Sequence, residues 1–571
     1  MKLLPLSLAF FVCTPVVAAQ IQAPWVHADA PPDPNGTPFT DLDRKLGWTD
    51  WLGQAFELKP IDGYGAIKSI QPGQGDQLRP VAGENFELDF SWAIEAGGNS
   101  GLKYRVPREG DRRGPEYQIL DDRAFPDLAG KHKTGSLYDV VPQAFAPTFE
   151  IDGSWVRGRG RIVALGSRLH HGFGGRPIST ADLAAPTWNS DVLASKFKGI
   201  ADTFAQPRQG ALLLQDHGAP VRFEHLFARN LDALPGTRIE LFDGKTTDGW
   251  QLIGDAKYVP TDEGIFGTIT NGNRNAFLAT ERTFGDFLLE VDVKLDDAGN
   301  SGIQIRSQIT DNRLRGWQVE IDPSPRSWSG GLYDEARRGW LMNLETNEAG
   351  RNAFDHTGWN RYRIECIGPW VRTWINDVPI VDYLDALDLE GHIGLQVHSG
   401  KNTALTWRNP VLHDLGKHVW QPVDLFAPAK GYLRSREALT DGAWRIQFKE
   451  SPEDLRLFLR TSNPEAVGTA SVTGRDQDGA LTEGGFFHRH PEAGAAVLHL
   501  NEHVQRLGKP LPEHANQLDV IHYGRRLAIT FGGRPVFTSS DARGLNRTGH
   551  LVLGGVALDA IESVHALTPG Q

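Results

Sequence analysis

Polar side chains recur at alternate positions of two matching segments, which is the pattern of a β-strand with one hydrophilic face. The segment GGNSGLKYR (97–105) returns as AGNSGIQIR (298–306). Because successive side chains of a strand point to opposite faces, Asn99, Lys103 and Arg105 are expected to share one face. The corresponding residues of the second segment are Asn300, Gln304 and Arg306. Amides and cations on one face can hold ligand oxygens and stabilise a developing negative charge.

Two later strands are expected to add acids, amides and imidazoles to these faces. YQILDD (117–122) corresponds to WQVEID (317–322), and the tripeptide Leu-Tyr-Asp follows both. The closing strands GALLLQDH (210–217) and GHIGLQVH (391–398) contain Gln-x-His, whereas the third copy, GHLVLGGV (549–556), has Gly and Val there. Carboxylates and imidazoles are the usual groups for moving a proton at neutral pH. A polar face that two copies keep and the third lacks favours ligand contact.

Each motif also has a purely structural interpretation. GNSG could be a turn at which glycine permits an unusual φ, and the Gln-x-His pairs could bond neighbouring strands. Leu-Tyr-Asp could supply a core Leu and Tyr before a turn Asp. Most of the 16 Trp residues are expected to fill cores and loops rather than to stack on a sugar.

The strands that position these groups come in three tandem sets. RIVALGSRLHHGFGGRPI (161–178), RIECIGPWVRTWINDVPI (363–380) and DVIHYGRRLAITFGGRPV (519–536) share two alternating runs around a Gly turn, which is typical of a β-hairpin. With 63 Gly, 35 Pro and little helical periodicity, the pattern predicts an all-β chain of tandem β-sandwiches. The expected boundaries are 25–234, 235–416 and 417–571, the third sandwich being degenerate.

Composition narrows the class of protein. The formal net charge of −12 over 571 residues argues against a nucleic-acid partner. Residues 1–19 have a basic start, an apolar run and small residues at the end, so they are expected to be a secretory signal. A secreted or periplasmic location without a membrane anchor follows. Beyond that signal Cys366 is the single cysteine, so no intrachain disulfide is expected.

Several familiar catalytic motifs are absent from the sequence. There is no GxGxxG opening a helix, no Walker loop, no HExxH and no GxSxG. Glu290 and Asp292 begin the carboxylate pattern of jelly-roll glucanases, but Leu295 stands at its third position, which disfavours ordinary retaining hydrolysis. No cofactor is predicted. A divalent cation such as Ca²⁺ is compatible, because carboxylate and carbonyl oxygens bind it without leaving a motif.

The joint set of motifs is similar to a known family. GNSGLKYR, EYQILDD, HKTGSLYD, SKFKG and LLLQDHG, with GNSGIQIR, WQVEIDPSPRSWSGGLYDEARRGW and GHIGLQVHSG, resembles the 3-keto-disaccharide hydrolase domain family. Its members are also described as 3-keto-glucoside lyases with 3-keto-2-hydroxy-glucal hydratase activity. The resemblance covers two full copies and implies a concanavalin-like jelly roll. It also implies cleavage of glycosides oxidised at carbon 3, by elimination across carbons 1 and 2 and then hydration.

Such chemistry needs a base near the carbon 2 proton, donors for the enolate oxygen and an acid for the leaving group. The residues expected in these catalytic roles are Glu116, His132, His217, Arg105 and Lys196 in the first copy, and Glu320, Arg306 and His398 in the second. Those expected to bind substrate are Asn99, Gln118, Asp122, Tyr138, Asp139 and Gln215, and then Asn300, Gln318, Asp322, Tyr333, Asp334, Arg337, Trp340 and Gln396. His217 and Glu116 are the two candidates for the base.

The first copy has a lysine-bearing loop, 195–210, that the second lacks, and a long loop beside a sheet often covers a site. This difference favours catalysis in the first copy. The main alternative function is a non-catalytic carbohydrate-binding protein, because the same sandwich can hold a sugar without moving a proton. A structural surface protein is expected to keep all three faces alike, which this chain does not.

Overall fold

The computed structural model describes residues 48–50, 67–70, 77–80, 84–107, 113–174, 176–205, 210–232, 234–296, 299–376, 378–429, 432–436, 442–452, 455–461, 487–490, 495–499, 510–523, 526–539 and 550–570. The expected secretory signal, 1–19, lies outside these residues. In the part of the chain that is described, no helix has the length and apolar character needed to cross a membrane.

In its described residues, the first sandwich has twelve strands in two antiparallel sheets. Its strands are β1 (Trp48–Asp50), β2 (Ile67–Ile70), β3 (Gln77–Pro80), β4 (Phe86–Glu95), β5 (Asn99–Val106), β6 (Glu116–Leu120), β7 (Glu150–Asp152), β8 (Trp155–Leu165), β9 (Arg168–Phe173), β10 (Arg176–Asp182), β11 (Ala211–Leu214) and β12 (Val221–Asn230). The larger sheet has the order β1-β12-β4-β8-β9-β10, with β2 on β12 and β7 on β8, and the smaller has the order β3-β11-β5-β6. Helix α1 (Trp188–Leu193) and short 3₁₀ turns at Gly130–His132 and Lys198–Ile200 lie in the connections.

The second sandwich repeats this plan, with longer strands in its polar sheet. Its strands are β13 (Thr237–Glu240), β14 (Trp250–Ile253), β15 (Lys257–Thr261), β16 (Gly264–Gly272), β17 (Ala276–Thr280), β18 (Phe287–Leu295), β19 (Ser301–Thr310), β20 (Arg313–Ile321), β21 (Leu332–Glu335), β22 (Gly339–Met342), β23 (Asn360–Ile367), β24 (Trp370–Ile375), β25 (Val378–Leu384), β26 (His392–Val397) and β27 (Gly400–Asp414). The larger sheet is β15-β16-β27-β18-β23-β24-β25 with β13 on β27, and the other is β14-β17-β26-β19-β20-β21-β22. A four-residue helix, α2, spans Glu348–Arg351.

Over the part of it that is described, the third sandwich keeps the strand order of the larger sheet but not that of the other sheet. Its strands are β28 (His418–Pro422), β29 (Leu425–Ala429), β30 (Tyr432–Ser435), β31 (Gly442–Phe448), β32 (Arg456–Thr461), β33 (Phe487–His490), β34 (Ala495–His499), β35 (Gln517–Tyr523), β36 (Arg526–Phe531), β37 (Arg534–Ser539), β38 (His550–Gly554) and β39 (Ile561–Pro569), with 3₁₀ turns at Pro512–His514 and Leu558–Ala560. The sheets are β28-β39-β31-β35-β36-β37 and β29-β30-β38-β32-β34-β33. The prediction of an all-β chain of sandwiches is confirmed.

The core of each sandwich comes from the alternate residues that face the opposing sheet. In the first, Phe90 of β4 meets Tyr117 of β6 edge to face at 5.2 Å between ring centroids. In the second, Trp317 and Trp407 are fully buried, and in the third Trp444 takes a similar place. Burying such aromatic side chains contributes about 1.5–3 kcal/mol each, so each core holds its two sheets together.

The three sandwiches pack against one another through the outer faces of their larger sheets. Arg229 of β12 bonds Glu87 beside it and reaches Glu365 of β23 at 2.8 Å. An apolar cluster joins the second and third sandwiches, and its buried members include Leu288, Ile367, Ile521 and Leu567. Because the larger sheets meet, the outer faces of the two smaller polar sheets point away from each other.

The structure corrects the expected position of Arg105 and Arg306. Both residues have a positive φ, 52° and 48°, and the strand register shifts beside each of them. Their side chains therefore leave the polar face and cap the end of the sandwich. Arg105 Nη2 donates to the carbonyls of Glu84 and Gly166 at 3.1 and 3.3 Å. These positions do not support a role in stabilising an enolate.

Arg306 repeats this capping contact in the second copy. Its guanidinium donates to the carbonyls of Gly285 and Gly368 at 2.7 and 2.5 Å, and it pairs with Asp286 at 3.2 Å. Arg306 and Asp286 are both fully buried. A glycine makes room for the bulge, because a Cβ on Gly391 would lie 2.2 Å from the carbonyl carbon of Arg306.

We expect Arg306→Leu to lower the free energy of unfolding of the second sandwich by about 3 kcal/mol, because two buried carbonyls lose their donor and the buried Asp286 loses its guanidinium partner, although it keeps His418 and the Gly368 N–H. Denaturant-dependent hydrogen exchange of β18 and β19 measures the effect. Arg315→Leu, which removes an exposed ion pair to Asp311, is the control and should change stability by about 0.5 kcal/mol or less. Equal effects of the two variants would contradict the capping role.

Candidate active site

The first polar site lies on the outer face of the smaller sheet, around the hairpin of β5 and β6. Gly101 pairs with Gln118 and Lys103 pairs with Glu116, so these residues share one face. Their neighbours Leu102 and Tyr117 face the core. The Glu116 carboxylate is 4% exposed although it stands on an outer face, and Lys103 Nζ lies 3.9 Å from its Oε2.

An amide and a glycine complete the surroundings of Glu116. In the amide orientation that suits its neighbours, Gln118 donates to Glu116 Oε1 at 3.2 Å, and its other amide atom lies 3.1 Å from Asn99. A Cβ on Gly101 would lie 2.6 Å from Glu116 Oε1 and 3.1 Å from Gln215 Oε1. The second glycine of GNSG is therefore needed for space, because two polar side chains lie over its Cα.

A second layer of side chains stands beside Glu116. Lys196 Nζ lies 4.0 Å from the ring centroid of Tyr138, and the backbone N–H of Lys196 donates to Asp139 Oδ2 at 2.6 Å. Asp139 also accepts a hydrogen bond from His132 Nε2 at 2.7 Å and pairs with Lys131 at 2.7 Å. The loop that carries Lys196 is thus fastened to the Leu-Tyr-Asp motif.

Burial and neighbouring charges shift the pKa values of Lys196, Tyr138 and Asp139. Burial and the nearby Lys103 lower the pKa of Lys196, although Glu116 and Asp139 oppose the change. Burial, with Glu116 and Asp139 adding to it, raises the pKa of Tyr138. Burial alone would raise the pKa of Asp139, but hydrogen bonds from Lys131, Lys196 and His132 lower it overall. Asp139 therefore stays ionised and can orient His132.

Two further residues expected in the first site lie apart from this cluster. His217 is exposed, beyond the end of β11, and the described structure gives it no bond to Glu116 or its neighbours. Asp122 follows the end of β6 and accepts from the Thr134 backbone N–H at 3.0 Å, and burial raises its pKa. Of the two candidates for the base, only Glu116 stands in the cluster.

The second site lies on the equivalent sheet face, but its strand register exchanges the positions of the carboxylate and the amide. Gly302 pairs with Glu320 and Gln304 pairs with Gln318. The structural equivalents are therefore Gln118 with Glu320, and Glu116 with Gln318. The correspondence of 117–122 with 317–322 expected from the sequence is wrong by two positions.

Hydrogen bonds beside the hairpins support this correction. Thr134 Oγ1 accepts from the N–H of Leu120 at 3.0 Å, and Ser329 Oγ accepts from the N–H of Asp322 at 2.8 Å. Leu120 and Asp322 are thus equivalent, each two residues after the exchanged position. The carboxylate consequently sits at different places in the two copies.

The second site is held by a directional chain of amides. Gln304 and Gln396 both donate to Gln318 Oε1, at 2.7 and 2.8 Å. Gln318 then donates to Glu320 Oε2 at 3.0 Å, and Asn300 donates to its Oε1 at 2.6 Å. Burial raises the pKa of Glu320 to about 7, although Asn300 and Gln318 lower it by donating. This carboxyl therefore changes charge near neutrality.

Aromatic rings form one wall of the second site. Trp340 packs edge to face on Tyr333 and on Trp328, at 5.3 and 4.9 Å between centroids. Arg326 lies over both Trp rings and pairs with Asp322 at 2.8 Å. Asp322 therefore contacts the site by its ion pair with Arg326 and makes no hydrogen bond to the amide chain.

The other expected residues of the second site lie around this wall. Asp334 pairs with Arg337 at 2.8 Å and also with Arg338, and Arg337 continues to Asp388. His398 donates from Nδ1 to the Ser399 carbonyl at 2.7 Å. Sequence reasoning missed Arg338, whose buried guanidinium also bonds the Gly533 carbonyl of the third sandwich at 3.0 Å. No local pattern could reveal a partner that lies in another sandwich.

Metal binding stays a prediction. Among the described residues, no group of three or more His, Cys, Asp or Glu side chains could hold a metal ion. In the third sandwich, β38 has Gly554 where β26 has Gln396, in agreement with the loss of polar groups expected from the sequence.

The family model of a 3-keto-alpha-glucoside-1,2-lyase-like domain matches residues 40–229 and 237–413, well over half of the chain. This chain belongs to that family. Membership in the lyase-like family indicates an enzyme of the glycoside-cleaving type with a carbohydrate substrate.

The individual proteins to which this chain is similar share less than a third of its residues over the aligned segments. A 3-keto-disaccharide hydrolase of Bacteroides thetaiotaomicron is 27% identical over 198 residues, which are 30% of this chain and 67% of that protein. A candidate glycosyl hydrolase of Parabacteroides distasonis is 22% identical, with 34% of this chain and 99% of that one covered and a TM-score of 0.28. A carbohydrate-binding module from Bacillus subtilis, CBM66, is 18% identical, with coverages of 29% and 96% and a TM-score of 0.25. At these TM-scores neither structure bears on function.

We expect Gly101→Ala to reduce turnover of a 3-keto-glucoside at least tenfold, because the added Cβ displaces Glu116 and Gln215. Initial rates and thermal unfolding measured on the same preparation separate this displacement from unfolding. Gly199→Ala is the matched control, since a Cβ there meets nothing within 4 Å. Full activity in Gly101→Ala would show that the arrangement around Glu116 is not needed.

Proposed function

We propose that the first sandwich cleaves 3-keto-glycosides by elimination followed by addition of water. The observation that supports this most directly is the position of Glu116, a buried carboxylate beside Lys103 and within the field of Lys196 and Tyr138. A ketone at carbon 3 acidifies the proton on carbon 2. A carboxylate flanked by cations can take that proton while the cations stabilise the enolate that forms.

The elimination assigns a separate role to each group. Glu116 takes the carbon 2 proton, and the negative charge develops on the carbon 3 oxygen, for which Lys103 and Lys196 are the cations. The bond between carbon 1 and the glycosidic oxygen then breaks. His132, held by the ionised Asp139 at 2.7 Å, gives its proton to the departing oxygen. The products are the free aglycone and an unsaturated 3-keto sugar.

Hydration reverses the proton transfers on the unsaturated sugar. Water adds its hydroxyl to carbon 1 and its remaining proton returns to His132, while Glu116 returns its proton to carbon 2. The sum of the two steps is hydrolysis, and no oxidant or reductant is consumed. Asn99, Gln118 and Gln215 supply hydrogen bonds that orient the sugar hydroxyls. The 3-keto-disaccharide hydrolase activity named for the Bacteroides relative agrees with this net reaction.

We expect Glu116→Gln to reduce kcat for a 3-keto-glucoside by about 10³-fold, because an amide cannot accept the carbon 2 proton. Substrate loss and appearance of the unsaturated sugar are followed together in the full chain. Glu95→Gln, at an exposed position at the end of β4, is the matched control and should keep full activity. Undiminished turnover in Glu116→Gln would exclude this residue as the base.

A further inference from the structure

The second site does not reproduce the groups that the proposed elimination uses. Where the first site has Glu116, the second has the amide Gln318, and where the first has Lys103, it has the amide Gln304. The lysine-bearing loop is also missing, since the chain passes from Asp385 to Gly391 almost directly. Arg326, a cation that acts on Glu320, is paired with Asp322 and lies over the Trp rings.

The hydrogen-bonding inventory of the second site suits hydroxyl groups. Gln396 is fully buried, its Nε2 is used by Gln318, and its Oε1 has no hydrogen-bond partner among the described residues. A buried acceptor without a donor costs about 1–3 kcal/mol, which a ligand hydroxyl would recover. Both Glu320 oxygens accept from amides, so an added proton on Glu320 supplies a donor of its own. A sugar hydroxyl can accept a hydrogen bond from protonated Glu320 and donate one to Gln396 Oε1.

The aromatic wall gives the same face an apolar side. Trp340 packs edge to face on Tyr333, which lies within the field of Glu320. Burial, with Glu335, Glu320 and Asp334 adding to it, raises the pKa of Tyr333 and keeps its hydroxyl neutral. A sugar presents apolar C–H groups on its ring faces and hydroxyls on its edge. Neutral donors and acceptors beside an aromatic side chain match that distribution.

We propose that the second sandwich carries a separate binding site for an uncharged sugar unit, with Glu320 and Gln396 as its hydrogen-bonding residues and Tyr333 and Trp340 as its wall. Because the two larger sheets lie between this face and the first site, it holds a different part of a glycan or a different molecule. The division of roles rests on the proposed function of the first sandwich. Sugar binding at the second face does not rest on that proposed function.

Protonation of Glu320 gives this site a pH dependence with a definite sign. Asp322, just after the end of the same strand, raises the pKa of Glu320, and Arg326 in the following loop lowers it. Tyr333 and Tyr362 of neighbouring strands also lie around Glu320 and are neutral. The protonated form predominates below a pKa of about 7. Affinity for a neutral sugar should therefore rise as pH falls from 8 to 6, where the carboxyl becomes a donor.

Calorimetric titration of the full chain with methyl α-glucoside tests the site, because this sugar lacks the carbon 3 ketone and the proposed elimination cannot consume it. We expect saturable binding that tightens at least threefold between pH 8 and pH 6. Glu320→Gln, whose amide donates at every pH, should remove this pH dependence, and Gln396→Leu should weaken binding at least tenfold. Glu345→Gln, an exposed substitution in the same sandwich, is the control for folding.

The possible outcomes separate the two proposals. No binding of methyl α-glucoside, or binding unaffected by both Glu320→Gln and Gln396→Leu, would overturn the second site. Loss of 3-keto-glucoside turnover in Glu320→Gln would also overturn it, because the second face would then be catalytic. Turnover that survives Glu116→Gln would count against the proposed function and leave the calorimetric result on the second site standing.

Discussion

The arrangement of both sites depends on the pairing of a glycine in one strand with a long polar side chain in the next. Gly101 lies opposite Gln118, and Gly302 lies opposite Glu320. Since a glycine has no Cβ, the side chains of neighbouring strands can converge over it and remain buried on an outer sheet face. Any larger residue would push the carboxyl group of the first site, or the amide chain of the second, out toward solvent.

The same backbone supports two chemically different surfaces because the partners of that glycine differ. In the first copy the carboxylate stands opposite a lysine, and cations dominate its surroundings. In the second copy the carboxylate has moved by one pair along the face, and amides surround it. Duplication preserved the bulged arginine, the glycine and the core. The polar residues, which folding does not need, diverged.

Much of this could be predicted from the sequence, because strand alternation and hairpin turns are local signals. The all-β sandwiches and the polar face of the hairpin follow from such signals. The capping role of Arg105 did not, because a positive φ at a residue other than glycine leaves no mark in the pattern. The exchange of Glu116 and Gln318 was also hidden, since Gln118 and Gln318 align by identity although they occupy different ladder positions.

The central claim is that the first sandwich breaks the bond between carbon 2 and its hydrogen. The most direct measurement is the turnover of a 3-keto-glucoside deuterated at carbon 2, with the isotope at that carbon determined in the product. The account predicts a rate several-fold below that of the undeuterated substrate, with loss of label to the extent that the deuteron on Glu116 exchanges with solvent before it returns to carbon 2. Equal rates with full retention of deuterium at carbon 2 would mean that the glycosidic bond is cleaved without elimination, and would contradict the account.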